Sequence, residues 1–348
     1  MKISIGLLAH NEENTITFII NQIFSQDIFQ NPDYQIQFAV VANGCTDNTV
    51  DIAEQLISAH VDSTGQFSQV VNLAQAGKSN AWNHFVHTVA WQDTSYLVLV
   101  DADIEFGSAQ VIRKLVESLS TDHNAVVAVD IPKKDVVKNP NKNLFSKILL
   151  KASELRKNKS HKEITGQLYC IRYKTAKTIH MPIGLPVEDG FLRAMIVTEN
   201  FKHADDNSKI TLAPDTCHYF KALSSPIELY KHEKRIMLGS AINSMIYKYL
   251  WENVAKKDED AGWLIQELNA NQPRWLLSLI EDYKSQHGFW VVPKSLALKH
   301  TTNIIYGKQP IIKKIFFFPI ALAATLVLIV ISVHVNIFLL KNNGIGYW

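Results

Sequence analysis

Five short apolar runs in the first 130 residues, each separated from the next by a helical pattern, constrain this chain more than any other feature of its sequence. Residues 2–8, 36–42, 69–73, 96–100 and 125–130 predict strands, and residues 13–24, 48–59, 78–91 and 109–119 predict the helices between them. Strand–helix alternation of this kind gives a parallel, doubly wound α/β sheet. Several runs are apolar throughout, as strands are when both faces of their sheet are covered. Ligands of such sheets sit at the carboxyl ends of the strands. The residues to examine are therefore those that follow the runs: Ala9-His10-Asn11-Glu12, Asn43-Gly44-Cys45-Thr46-Asp47 and Asp101-Ala102-Asp103.

Beyond residue 131 the pattern turns irregular. A polar stretch at 133–143 reads as a loop, 144–158 as an amphipathic helix, 165–172 as a strand, 188–197 as a helix and 210–220 as a hairpin. Two or three helices fill 226–286. From Ile315 to Leu340 the chain is almost wholly apolar, broken chiefly by Ser332, His334 and Asn336. At about 1.5 Å per residue that run is roughly 39 Å long, enough to cross a bilayer core of about 30 Å. Lys308, Lys313 and Lys314 precede it and Lys341 follows, so the positive-inside rule keeps the large N-terminal part cytoplasmic. The alternative is a C-terminal core helix, which His334 and Asn336 near its far end favour. No secretory leader pattern opens the sequence. A formal net charge of +2 gives no nucleic-acid footprint, and three scattered cysteines give neither a disulfide framework nor a Cys-x-x-Cys metal site.

Asp101 and Asp103, two residues apart after an apolar strand, are suited to hold Mg²⁺ or Mn²⁺ under a diphosphate leaving group. Gly77-Lys78 opens a helix whose free N–H groups and lysine can face phosphate oxygens, without the spacing of a Walker A loop. Glu188-Asp189 stands at a helix start, either as a simple cap or with one carboxylate acting as a general base. His218 is either structural or a third metal ligand. His232, Lys234 and Arg235 lie on a later helix and could supply positive charge to a departing diphosphate.

Taken together these segments resemble family 2 of the inverting glycosyltransferases, whose fold is GT-A, a Rossmann-like, mostly parallel sheet flanked by helices. Residues 8–13, Leu-Ala-His-Asn-Glu-Glu, resemble its Pro-Ala-Tyr-Asn-Glu signature, and residues 41–49 its Asp-Asp-Gly-Ser-Thr-Asp-Asn-Thr segment. Gly77-Lys78 with Ala81 and Asn83 resembles Gly-Lys-x-x-Ala-x-Asn. Asp101-Ala102-Asp103 matches the metal motif, and Glu188-Asp189 the acidic pair before the acceptor-side helix. The order and spacing agree over roughly residues 2–240.

The resemblance implies a donor-binding set of Ala9, Asn11, Glu12, Asn43, Asp47, Lys78, Asn83, Asp101 and Ala102. It implies metal binding by Asp103 with Asp101, and by His218 as the further candidate. Asp189, beside Glu188, becomes the base that activates the acceptor oxygen. Thr165, Gly166 and Gln167 line the acceptor side, and Arg235 faces the diphosphate. Two departures stand out. Asparagine replaces an acid at position 43, and of the Gln/Arg-x-x-Arg-Trp of polysaccharide synthases only Arg235 remains.

The expected architecture is a catalytic domain over 1–225, with a nucleotide-binding half to 130 and an acceptor-side half beyond it. A helical extension over 226–310 and a transmembrane anchor over 311–348 follow. The expected function is transfer of one sugar from a nucleotide-sugar, by expectation a UDP-sugar, to a membrane-associated, lipid-linked or glycan acceptor. Mn²⁺ or Mg²⁺ is the expected cofactor, and nucleic acid is not an expected partner. The expected location is a single-pass protein of the cytoplasmic (inner) membrane. The alternatives are a sugar nucleotidyltransferase and a non-catalytic nucleotide-sugar-binding membrane scaffold.

Overall fold

The structure, a computed structural model, describes residues 1–64, 67–138, 145–147, 162–257, 260–288, 290–307 and 310–342. Eight strands form one sheet: β1 (Lys2–Ala9), β2 (Gln35–Asn43), β3 (Phe67–Leu73), β4 (Tyr96–Asp101), β5 (Ile104–Phe106), β6 (Val127–Lys134), β7 (Leu168–Arg172) and β8 (Ile210–Phe220), in the order β3-β2-β1-β4-β7-β6-β8-β5. β3, β2, β1 and β4 run parallel. β7 is antiparallel to both β4 and β6, so the sheet is mixed rather than parallel throughout.

The strands are apolar on both faces because each face has its own core. Ile3, Ile5 and Leu7 of β1 and Phe38 and Val40 of β2 pack beneath α1 (Ile16–Phe24), α2 (Thr49–Thr64) and α4 (Val111–Thr121). Ala39, Val41, Leu97 and Leu99 alternate with them and face the other layer, as the two-residue period of a strand requires. That second layer begins with α3 (Lys78–His84), which continues through a π-helical turn at Phe85–Val89. After the one-turn α5 (Tyr173–Ala176) come α6 (Glu188–Val197), α7 (Pro226–Lys257), α8 (Ala261–Asn271) and α9 (Trp275–His287). Residues of these helices and of α11 (Ile311–Asn342) share one apolar cluster with the sheet. Between α9 and α11 lies α10 (Lys294–Tyr306).

One further expectation changes, and another falls outside the described residues. The hairpin expected at 210–220 is one strand. β8 pairs with β6 at Leu212 and again at Cys217, and the intervening residues bulge out, with Asp215 at φ 54°. Pro214-Asp215 is therefore a bulge inside a strand rather than a reversal. The helix expected at 144–158 lies mostly outside the described residues, as does 139–143 of the expected loop.

Candidate active site

Parallel pairing brings the ends of β1, β2 and β4 to one edge, with Ala9, Asn43 and Asp101 close together. A cavity of about 1030 Å³ opens there. Its wall includes Ala9, Glu12, Asn43, Lys78, Asp101, Ala102, Asp103, Thr165, Gln167, Glu188, Asp189 and Arg235, which the chain draws from segments far apart in sequence.

Asn43 is buried and joins three segments. Its amide donates to the Ala9 carbonyl at 2.8 Å and accepts from Gly77 N–H at 3.0 Å, while its own carbonyl lies 2.7 Å from His10 Nδ1. A carboxylate could accept from Gly77 but would set its other oxygen against the Ala9 carbonyl. The amide at this position is thus dictated by what it touches. Asn43→Asp is expected to cost about 2 kcal/mol at pH 7, the penalty of a buried acceptor facing an acceptor. The loss should shrink at pH 4, where a protonated Asp can donate; urea denaturation at both pH values checks this.

Lys78 is the centre of the site's charge. Its Nζ lies 2.6 Å from Asp101 Oδ2 and 3.0 Å from Glu188 Oε1, and donates to the Gly166 carbonyl at 3.1 Å. Gly166 sits at φ +76°, and a Cβ there would meet Glu188 Oε1 at 2.9 Å and Asp189 Cβ at 3.2 Å. Only glycine lets this turn close on the acidic pair. Burial disfavours the Lys78 charge, but Asp101 and Glu188 outweigh it and hold the amine well above the usual lysine range. Burial pushes Asp101 up to about 7, with Lys78 opposing and Asp103 adding to the rise. Burial and then Glu188 raise Asp189 to about 6, against the Gly190 N–H that its carboxylate accepts at 2.7 Å. Both acids stand in the first turn of α6, where the helix dipole favours negative charge.

The site therefore gathers Asp101, Asp103, Glu188 and Asp189 around Lys78 and Arg235. Burial already raises two of these acids, and a divalent cation would relieve that excess of negative charge. Asp103 is exposed at the cavity wall, and with Asp101 it offers the oxygen donors that Mn²⁺ or Mg²⁺ takes. Among the described residues no group of three His, Cys, Asp or Glu forms a complete protein-held metal site.

The other sequence-identified residues lie around this centre. His218 is fully buried, with Nδ1 at 2.8 and 2.9 Å from the two Asp130 oxygens and Nε2 at 3.2 Å from Gln167 Oε1. Both ring nitrogens are engaged, so His218 braces Gln167 on the wall and a metal would have to displace one partner. Asn11 Oδ1 accepts from Thr46 N–H at 2.8 Å. Asp47 accepts from Thr49 and from Glu13 N–H. Asn83 exchanges two hydrogen bonds of 2.8 Å with the backbone of Met181. These three lie outside the wall and fix the loops that form it.

The sequence reading did not identify the apolar part of the cavity wall. Leu229, Tyr230 and Ile236 of α7 and Ala324, Val327, Leu328 and Ile331 of α11 form an apolar wall there. Lys134, Lys221, His232 and His300 line the same cavity. The one available signal was the placing of Thr325, Ser332 and Asn336, seven and four residues apart, which puts three polar residues on one helical face.

The model of glycosyl transferase family 2 matches residues 4–178. No curated protein sequence matches the chain. Among solved structures it is similar to the mannosyltransferase PcManGT from Pyrobaculum calidifontis in complex with GDP-Man and Mn²⁺. The TM-score is 0.52 and the identity 14%, over 95% of this chain and 86% of that one. It is also similar to glucosyl-3-phosphoglycerate synthase from Mycobacterium tuberculosis in complex with Mn²⁺, UDP-glucose and glycerol 3-phosphate, at a TM-score of 0.47 and 17% identity over 71% and 79% of the two chains. With the family matched over half its length and a GT-A-like mixed sheet beneath the acidic cavity, the chain belongs to glycosyl transferase family 2 and is a glycosyltransferase.

Proposed function

We propose that this protein transfers one sugar, with inversion, from a nucleotide-sugar donor to a membrane-associated, lipid-linked acceptor in glycan synthesis. One observation carries the reading. A single cavity joins the carboxylate cluster at the strand ends to an apolar wall supplied by α7 and α11. A polar donor fits the carboxylate cluster and an aliphatic tail the apolar wall, with Lys134, Lys221, His232 and Arg235 lining the same cavity for phosphate charge.

In this reading Ala9, Glu12 and Asn43 border the nucleoside. Asp189 takes the proton from an acceptor hydroxyl as its oxygen attacks the anomeric carbon, and the bond from that carbon to the diphosphate breaks on the far side. Arg235 faces the departing diphosphate. Lys78 holds Glu188 and so fixes the turn that aims Asp189. Bound Mn²⁺ or Mg²⁺, held by Asp103 with Asp101 beside it, would neutralise the diphosphate oxygens as they gain charge. The lysines before α11 favour the anionic cytoplasmic leaflet, and so a catalytic domain on that face.

A panel of nucleotide-sugars, titrated by calorimetry with and without Mn²⁺ and followed by nucleotide release, tests the assignment. A UDP-sugar is expected to bind only with metal, and Asp103→Ala to abolish that binding. Tight donor binding in chelator, indifferent to Asp103→Ala, would sink the metal site.

A further inference from the structure

Length and composition alone make α11 a candidate to cross a membrane. Its packing divides it in two. Residues 311–320 include no buried residue. From 321 onward a stripe is buried at helical spacing: Ala321, Thr325, Leu328, Ser332, Val335, Asn336 and Leu339. Polar contacts reinforce it. Asn336 Oδ1 accepts Val291 N–H at 2.8 Å, and Tyr230 Oη lies 2.7 Å from His334 Nδ1. Lys284 Nζ donates to the Leu340 carbonyl at 3.1 Å. The other side is exposed and apolar through Leu326, Val330, Val333 and Ile337.

A span needs about 20 residues, and the ten that include no buried residue give only about 15 Å, half of a bilayer core. Were 321–341 to cross, α7 would enter the core with it, because Tyr230 and Lys234 pack on His334 and Phe338. That turn of α7 carries Lys231, Glu233, Lys234 and Arg235. Each charge at mid-bilayer costs about 2.5–3.5 kcal/mol on the more lenient scales. We infer that α11 does not cross the membrane but lies in one leaflet, clamped along its inner face by the helical body, with its outer apolar face among the acyl chains.

The charge of this region specifies the lipid. Beyond Asp282 the chain carries seven lysines and no Asp or Glu, and Lys313 is exposed beside the free turns of α11. Apolar face and basic flank together fit an anionic leaflet. Because Ala324, Val327, Leu328 and Ile331 also wall the cavity, an acceptor's tail reaches the site without leaving the leaflet.

Two measurements on the full chain test this, and neither needs turnover, so its failure is distinct from failure of the transferase reading. In sealed vesicles, a membrane-impermeant maleimide is applied to Ser58→Cys, exposed on α2, and to Lys341→Cys, exposed at the end of α11. Labelling is read peptide by peptide by mass spectrometry. Both positions are expected to label from the same side. Labelling of Lys341→Cys only from the opposite side, or its failure to label from the Ser58→Cys side, overturns the inference. Flotation of purified protein with phosphatidylglycerol or phosphatidylcholine vesicles tests the occupant. Binding is expected to favour phosphatidylglycerol, and Ile315→Glu with Phe316→Glu to reduce it by at least about tenfold. A dimer through this face that does not float would assign it to a second copy and overturn the lipid assignment.

Discussion

Asp189→Asn is expected to lower kcat by about 10²–10⁴-fold, the usual contribution of a positioned general base, while the metal-dependent donor affinity stays near that of the wild type. The expectation rests on position and on proton affinity together. Asp189 sits on the cavity wall in the first turn of α6, and burial with Glu188 raises its carboxyl to about 6. A base that ionises near 6 is charged at pH 7 yet holds a proton far better than an ordinary aspartate. At saturating donor and Mn²⁺ the wild-type kcat should therefore fall as pH drops through about 6, and this limb should vanish in Asp189→Asn. Full turnover by a folded, donor-binding Asp189→Asn protein would remove the base assignment. A loss of donor binding equal to the loss of turnover would make Asp189 part of the donor site instead.

The strand ends were legible because parallel strands under two cores must be apolar throughout, and the polar residues that end them stand out against that background. The expected runs at 2–8, 36–42 and 96–100 meet β1, β2 and β4 within a residue or two at each end. β5 escaped because three residues carry no period. The β8 bulge escaped because Pro214-Asp215 has the composition of a reversal while its flanks share one partner strand. Within the site, pattern located residues but not their contacts. Asn11, Asp47 and Asn83 sit in motif positions yet spend their side chains on loops. Lys78, which motif position associates with phosphate, is held by two carboxylates that sequence spacing does not bring together. In α11 a nearly continuous apolar run conceals which face is docked, and only its few polar residues disclose it.

The second large effect is on stability, and it runs opposite to the usual acid denaturation. An unfolded aspartate titrates near 3.9, whereas burial holds protons on Asp101 to about 7 and on Asp189 to about 6. Folded-state values raised in this way favour folding fully below the unfolded value, and that contribution is lost as pH rises through 6 to 7. At about 1.4 kcal/mol per unit the two groups together remove roughly 7 kcal/mol by pH 7.5. Hydrogen-bonded acids such as Asp47 and Asp206, held below the usual range, act only below about pH 4, whereas His87, His180 and His232, whose burial disfavours their charge, titrate inside this window and add stability as pH rises. Urea denaturation in detergent with chelator, from pH 4.5 to 7.5, is expected to show wild-type stability losing ground to that of Asp101→Asn as pH rises, the histidines being common to both. Saturating Mn²⁺, which binds the ionised carboxylates of the native site, should restore stability at pH 7.5 and leave pH 5 almost unchanged. An Asp101→Asn slope equal to that of the wild type would show that this carboxylate is already ionised without metal. The charge argument for the cation at Asp101-Ala102-Asp103 would then fall with it.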